Sequence, residues 1–146
     1  MDTTLLIIMV HAAATLMMTG LIWFVQVVHY PLFGQIGAAE FTTYEQLHCR
    51  RTSLVVMPLM LGELATAAWL FMIDLPGESV WIANTGLGLL AIIWLSTAAL
   101  QVPCHRQLER GFDDATIRRL VTSNWVRTIA WTGRSVLALL LLAPTS

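Results

Sequence analysis

Apolar residues run along this chain in four long stretches, roughly Leu5 to Val28, Ser53 to Ile73, Val80 to Val102 and Trp125 to Leu142, with most of the charge lying between them. Each stretch is close to the ~20 residues that a helix needs to cross the hydrocarbon core of a bilayer. The pattern predicts an all-α membrane protein, a single four-helix transmembrane bundle over residues 1–146. Shorter periodic segments fall between the spans. Ala38 to Arg51 carries Phe41, Tyr44, Leu47 and His48 at helical spacing, and Asp113 to Ser123 carries Ile117, Leu120 and Val121 on one side behind an acidic first turn. Two interfacial helices are expected there, capping one mouth of the bundle or lying in the headgroup layer.

The polar residues inside the spans are not scattered. His11, Thr15, Thr19, Gln26 and His29 fall on one face of the first span, since eighteen residues complete five turns at about 3.6 per turn. Asn124, Arg127, Thr128, Trp131, Arg134 and Ser135 share a stripe on the fourth. Thr97, Gln101 and His105 are spaced by four on the third, although Pro103 must distort the end of that helix. Three helices thus offer a polar face to the bundle interior.

Composition supports a lipid solvent: 57% of residues are hydrophobic, 12% are charged and mean hydropathy is +0.71. The leader Met1-Asp2-Thr3-Thr4 has no basic residue and the apolar run after it exceeds the usual signal-peptide core, so the first span is expected to be retained. There is no Lys. Arg50, Arg51, Arg106, Arg110, Arg118 and Arg119 lie in the first and third connections, whereas the second holds only Asp74 and Glu78. The positive-inside rule then puts the two long connections in the cytoplasm of a bacterial inner membrane, with both termini and the Asp74–Ser79 turn outside. These Arg serve orientation better than phosphate binding, and no nucleic-acid partner is expected. Cys49 and Cys104 would face a reducing compartment, which argues against a structural disulfide.

Two charges stand within the spans. Glu63 and Arg134 lie about 10 and 9 residues along helices that enter from the cytoplasm, which at 1.5 Å per residue puts both roughly 14 to 15 Å deep. At that depth each needs a partner, and pairing with one another is expected, as a register-fixing ion pair or as part of an ion, proton or ligand path. His29, His48 and His105 project to the cytoplasmic end with Tyr30, Tyr44, Glu45, Cys49 and Cys104 beside them. Imidazole with carboxylate or thiolate is the usual donor set for zinc, iron or copper, so a transition metal or haem is the cofactor the residues point to. Their spacing matches no compact ligand signature. Headgroup-facing histidines are the plain alternative.

A faint repeat pairs Gln26-Val27-Val28-His29 with Gln101 through His105, and His48 through Thr52 with Asn124 through Thr128, as a parallel duplication would. The stretch Val27 to Phe33, Gln101-Val102-Pro103, and Gly111-Phe112-Asp113 through Asn124-Trp125-Val126-Arg127-Thr128 with Trp131 and Arg134 resembles a widespread set of small bacterial four-span membrane proteins of no assigned activity. In size and helix count the chain is also similar to the anthrone oxygenase-like membrane proteins, which would imply oxidation of a lipophilic aromatic.

Three function classes remain. The first is a membrane-embedded metal- or haem-dependent oxidoreductase acting on a lipophilic small molecule. It would use His29, His48 and His105 as ligands, Glu63, Arg127 and Arg134 as catalytic charges, and Gln26, Gln101, Asn124, Tyr44 and Trp131 around the ligand. The second is a small transporter or channel along Glu63, Arg134 and the polar stripe, as a homo-oligomer. The third is an accessory subunit whose polar residues serve helix packing, with Gly86 and Gly88 permitting close approach.

Overall fold

The computed structural model describes residues 2–143, so Met1 of the leader lies outside the described residues. Four helices are long and apolar enough to cross a membrane: α1 (Thr3–Gln35), α2 (Ala38–Met72), α3 (Ser79–Leu108) and α4 (Asp114–Leu142). Short connections make sequence neighbours antiparallel. α1 packs against α2 and α4, and α3 packs against α2 and α4, which leaves α2 and α4 facing each other across one diagonal.

The ends follow from local chemistry. Asp2 caps α1 by accepting from the Thr4 amide, and Asp113 caps α4 by accepting from the Ala115 amide at 3.1 Å. Asp113 also accepts from the Thr116 hydroxyl and from Gln107 of α3, so the cap tethers two helices. Gly77 takes φ +53° in the turn between α2 and α3, a conformation that a β-carbon would strain.

The two expected interfacial helices are not separate elements. α2 runs unbroken for 35 residues, so Ala38 to Arg51 is its first part, and Asp114 to Ser123 is likewise the start of α4. No Gly or Pro stands between Cys49 and Ser53, or between Ser123 and Arg127, to end a turn. At 1.5 Å per residue α2 is about 50 Å long against a hydrocarbon core of about 30 Å, so it has the length to project well beyond it.

Polarity is inverted relative to a protein folded in water. Thr15, Glu45, Glu63, Asn124 and Thr128 are fully buried, while Leu54, Trp81 and Met72 are 72%, 71% and 83% exposed. Apolar side chains of this size on the outer surface, around a polar interior, fit a multi-pass membrane protein. The polar stripes of α1 and α4 do face inward. Thr19 Oγ1 lies 2.6 Å from Ser135 Oγ and donates to the Trp131 carbonyl, forming a seam between the two helices. Where α3 meets α4, a β-carbon at Gly133 would stand 3.3 Å from Leu89 and one at Gly86 would stand 3.9 Å from Arg134, whereas Gly88 has open space beside it.

Candidate functional site

Two local departures from α-helix shape the site. Val25–His29 of α1 and Thr97–Gln101 of α3 are π-helical turns, closed by the amides of Tyr30 and Val102 reaching back five residues to the Val25 and Thr97 carbonyls. Each turn is followed by a proline, Pro31 or Pro103. A proline has no N–H to give and crowds the carbonyl four residues before it, and widening the turn relieves that crowding. One inserted residue rotates the remainder of the helix by about 100°. Buried positions accordingly step by five across the second turn, from Ser96 to Gln101. The rotation brings Tyr30 and His105 inward, where α2 presents Glu45, His48 and Cys49.

These side chains form a hydrogen-bonded cluster. His105 Nδ1 is 2.5 Å from Glu45 Oε1, and His105 Nε2 is 3.0 Å from the Tyr30 hydroxyl. A carboxylate oxygen only accepts, so the Glu45 contact calls for a proton on Nδ1, and the Tyr30 hydroxyl bonds the other ring nitrogen. Cys49, one turn beyond Glu45, directs its thiol to the same Oε1 at 3.4 Å. The other oxygen, Oε2, is buried and has no hydrogen-bond partner among the described residues. His29 Nε2 meets His48 Nδ1 at 2.8 Å, Thr52 Oγ1 lies 3.1 Å from the same His48 nitrogen, and the His48 and His105 rings are 5.4 Å apart.

The histidines therefore do converge, but the tightest donor set differs from the expected three. Donor atoms of Glu45, Cys49 and His105 all lie within 4.8 Å of one another, whereas His29 and His48 are engaged with each other and with Thr52. An ion with bonds of about 2.0 to 2.3 Å holds tetrahedral ligand atoms roughly 3.3 to 3.8 Å apart; the Cys49–Glu45 contact of 3.4 Å lies in that range, and the 2.5 Å Glu45–His105 contact would have to open by about 0.8 Å.

A cleft of about 320 Å³ adjoins the cluster. Tyr30, His48, Cys49 and His105 line it on one side, Val56, Met57 and Met60 form an apolar wall, and Gln101 and Arg127 close it on the α3 and α4 side. Arg127 is 6% exposed, stacks over Trp131 with its guanidinium carbon 5.2 Å from the ring centroid, and donates to Asn124 Oδ1 at 3.3 Å. Its Nε has no partner, and no carboxylate lies within ion-pair distance of it among the described residues.

Of the residues expected around the ligand, Gln101 lines the cleft, donates to Ser123 and accepts from Ser96. Gln26 and Asn124 sit behind Arg127 instead. Asn124 donates to Gln26 Oε1 at 2.9 Å and Gln26 donates to the Val121 carbonyl, so the two orient the arginine without facing the cleft. Tyr44 lies half-exposed beside His29, in a separate groove with Leu47 and Arg51. Thr52, Arg106 and Glu109 line the cleft without having been singled out as site residues; surface-type residues in connecting segments carry no distinguishing signal.

Glu63 and Arg134 form the expected direct pair, Arg134 Nη2 donating to Glu63 Oε1 at 3.3 Å with both side chains buried. Trp131 donates to Glu63 Oε2 at 2.9 Å, and Arg134 Nη1 donates to the Gly86 carbonyl. These bonds cross the α2–α4 diagonal and also reach α3. Neither charge lines the cleft. Trp131 links the two regions, its indole N–H on Glu63 and its ring under Arg127. No family model, curated protein or solved structure matches this chain.

Proposed function

We propose that the protein is a four-span bacterial inner-membrane enzyme, a metal-dependent oxidoreductase acting on a lipophilic small molecule, with its long connections and the histidine cluster at the cytoplasmic face. The observation that carries this reading is Glu45 Oε2, a carboxyl oxygen buried with no hydrogen-bond partner among the described residues, next to a thiol and an imidazole. A buried polar oxygen left without a partner is costly, and a cation bound by Glu45, Cys49 and His105 would satisfy it. Nitrogen, oxygen and sulfur donors together suit iron, copper or zinc, and the first two supply one-electron chemistry. The three donors converge on one point, which fits a single ion better than haem, whose axial ligands approach from opposite faces. Three protein ligands leave a position open, as in catalytic sites. Cys49 and His105 line the cleft, which puts a bound substrate beside that position.

In this reading Tyr30 orients His105 through its hydroxyl bond, a role that the outer partners of metal-bound histidines commonly fill. His48 and His29 form a hydrogen-bonded extension toward the surface, suited to moving protons into and out of the cleft. Glu63 and Arg134 serve as a tether between helices. The cavity that Arg134 lines measures only about 10 Å³, room for about one water, which supports a sealed pair over a hydrated path.

Metal analysis with absorption and electron paramagnetic resonance spectra of the purified protein tests the reading. Stoichiometric iron or copper, lost in Glu45→Gln and in His105→Ala but kept in His29→Ala, is the expected result. Protein that retains no transition metal after reconstitution, or that retains it equally in Glu45→Gln and His105→Ala, would overturn it.

A further inference from the structure

The cleft beside the cluster carries a buried cation with no ion-pair partner among the described residues. Arg127 is almost wholly buried, its guanidinium fixed by the Trp131 ring on one face, by Asn124 at one nitrogen and by the neighbouring Tyr30 hydroxyl, and no carboxylate among the described residues pairs with it. Asn124 is in turn held by Gln26, so the arginine is positioned before any ligand arrives. Neutral partners orient a cation without compensating its charge, and a guanidinium in apolar surroundings calls for an anion. Its fork of N–H groups matches the two oxygens of a carboxylate or phosphate. From the same cleft wall Val56, Met57 and Met60 present hydrocarbon, with Met57 40% exposed at the outer surface of the bundle.

We propose that the cleft binds a lipid-soluble monoanion, an oxyanion head on Arg127 and an apolar chain along Val56, Met57 and Met60 toward the bilayer. This rests on the cleft being the substrate site proposed above and names the substrate class: an amphiphilic acid and not a neutral aromatic. The head and the metal donors Cys49 and His105 then share one cavity, which sets the part of the substrate nearest the acid group beside the ion.

Binding of decanoate and of decanol to the purified protein in zwitterionic nanodiscs, measured by calorimetry, separates charge from chain. Decanoate is expected to bind roughly ten- to a hundredfold more tightly than decanol, the range that a hydrogen-bonded charge contributes. Arg127→Gln should erase that preference while leaving metal content unchanged, and Met57→Trp, at an exposed cleft position, should weaken both ligands. Metal content and the decanoate preference are separate readouts, so loss of one reading does not remove the other. Displacement of decanoate by phosphatidylglycerol in the disc would support the anion site and assign its head to a membrane phospholipid. Equal binding of decanoate and decanol to the unmodified protein, which needs no variant to fold, would overturn the proposal, as would an unchanged preference in a folded Arg127→Gln protein.

Discussion

Removing one member of the Glu63–Arg134 pair leaves the other charge in the bundle interior. In Glu63→Gln the Trp131 indole keeps an oxygen to donate to, but Arg134 retains only the Gly86 carbonyl and an Nε that is already unpartnered. In Arg134→Gln the Glu63 carboxylate keeps only the Trp131 bond. At the observed 3.3 Å, an effective dielectric of ~20 gives an attraction of about 5 kcal/mol. That agrees with the ~3 to 5 kcal/mol typically lost when one partner of a buried pair is removed. Each single variant should therefore lose several kcal/mol, and the double variant, with no orphan charge, should lose less than their sum by about 2 kcal/mol or more. Unfolding in mixed micelles with increasing denaturing detergent, followed by tryptophan fluorescence, gives the three values against the parent protein. Losses that add to within about 0.5 kcal/mol would refute coupling between the two residues. A loss under about 1 kcal/mol in either single variant would refute the premise that its partner is an uncompensated buried charge.

Gln101→Leu should cost about 1 to 3 kcal/mol, because it strips the bonds to Ser96 and Ser123 that brace the α3 π turn; unchanged detergent unfolding would show that the turn does not depend on them. A membrane-impermeant thiol reagent should label neither cysteine on intact cells; after lysis and treatment with a chelator to free its thiol, Cys49 should become the more reactive, Cys104 being 2% exposed, and labelling of Cys49 on intact cells would invert the proposed orientation. The Asp113 carboxyl is held below its ordinary value chiefly by the Thr116 hydroxyl and further by the Ala115 and Thr116 amides. A lowered folded-state value means that this stabilisation is present above the ordinary carboxylate range and is lost as pH falls through the folded value. Asp113→Asn should therefore be slightly less stable at neutral pH, with a smaller further loss on acidification than the parent; identical pH profiles would remove the cap from the account.

Hydrophobic runs of about twenty residues determined the four helices, and helical spacing determined which faces turn inward. His11, Thr15 and Gln26 on α1 and Asn124, Arg127 and Arg134 on α4 are buried as their spacing requires, because in an apolar solvent a polar side chain has nowhere else to go. The pairing of Glu63 with Arg134 likewise follows from counting 1.5 Å per residue from a common end. Local pattern did not reveal that the presumed interfacial segments continue the spanning helices, because an amphipathic turn reads the same whether it lies on a membrane or extends from it. Nor did it reveal the π turns. Pro31 and Pro103 announce a distortion, but only packing against α2 and α4 decides that it takes the form of one inserted residue, turning Tyr30 and His105 toward Glu45. Membership of the cluster was decided at the same level: Glu45 and Cys49 share a helix face with His48, and what separates them is which meets a residue 60 positions away on α3. Chain spacing fixes neighbours along one helix, whereas partners across helices are set by the rotation and depth of each helix in the bundle.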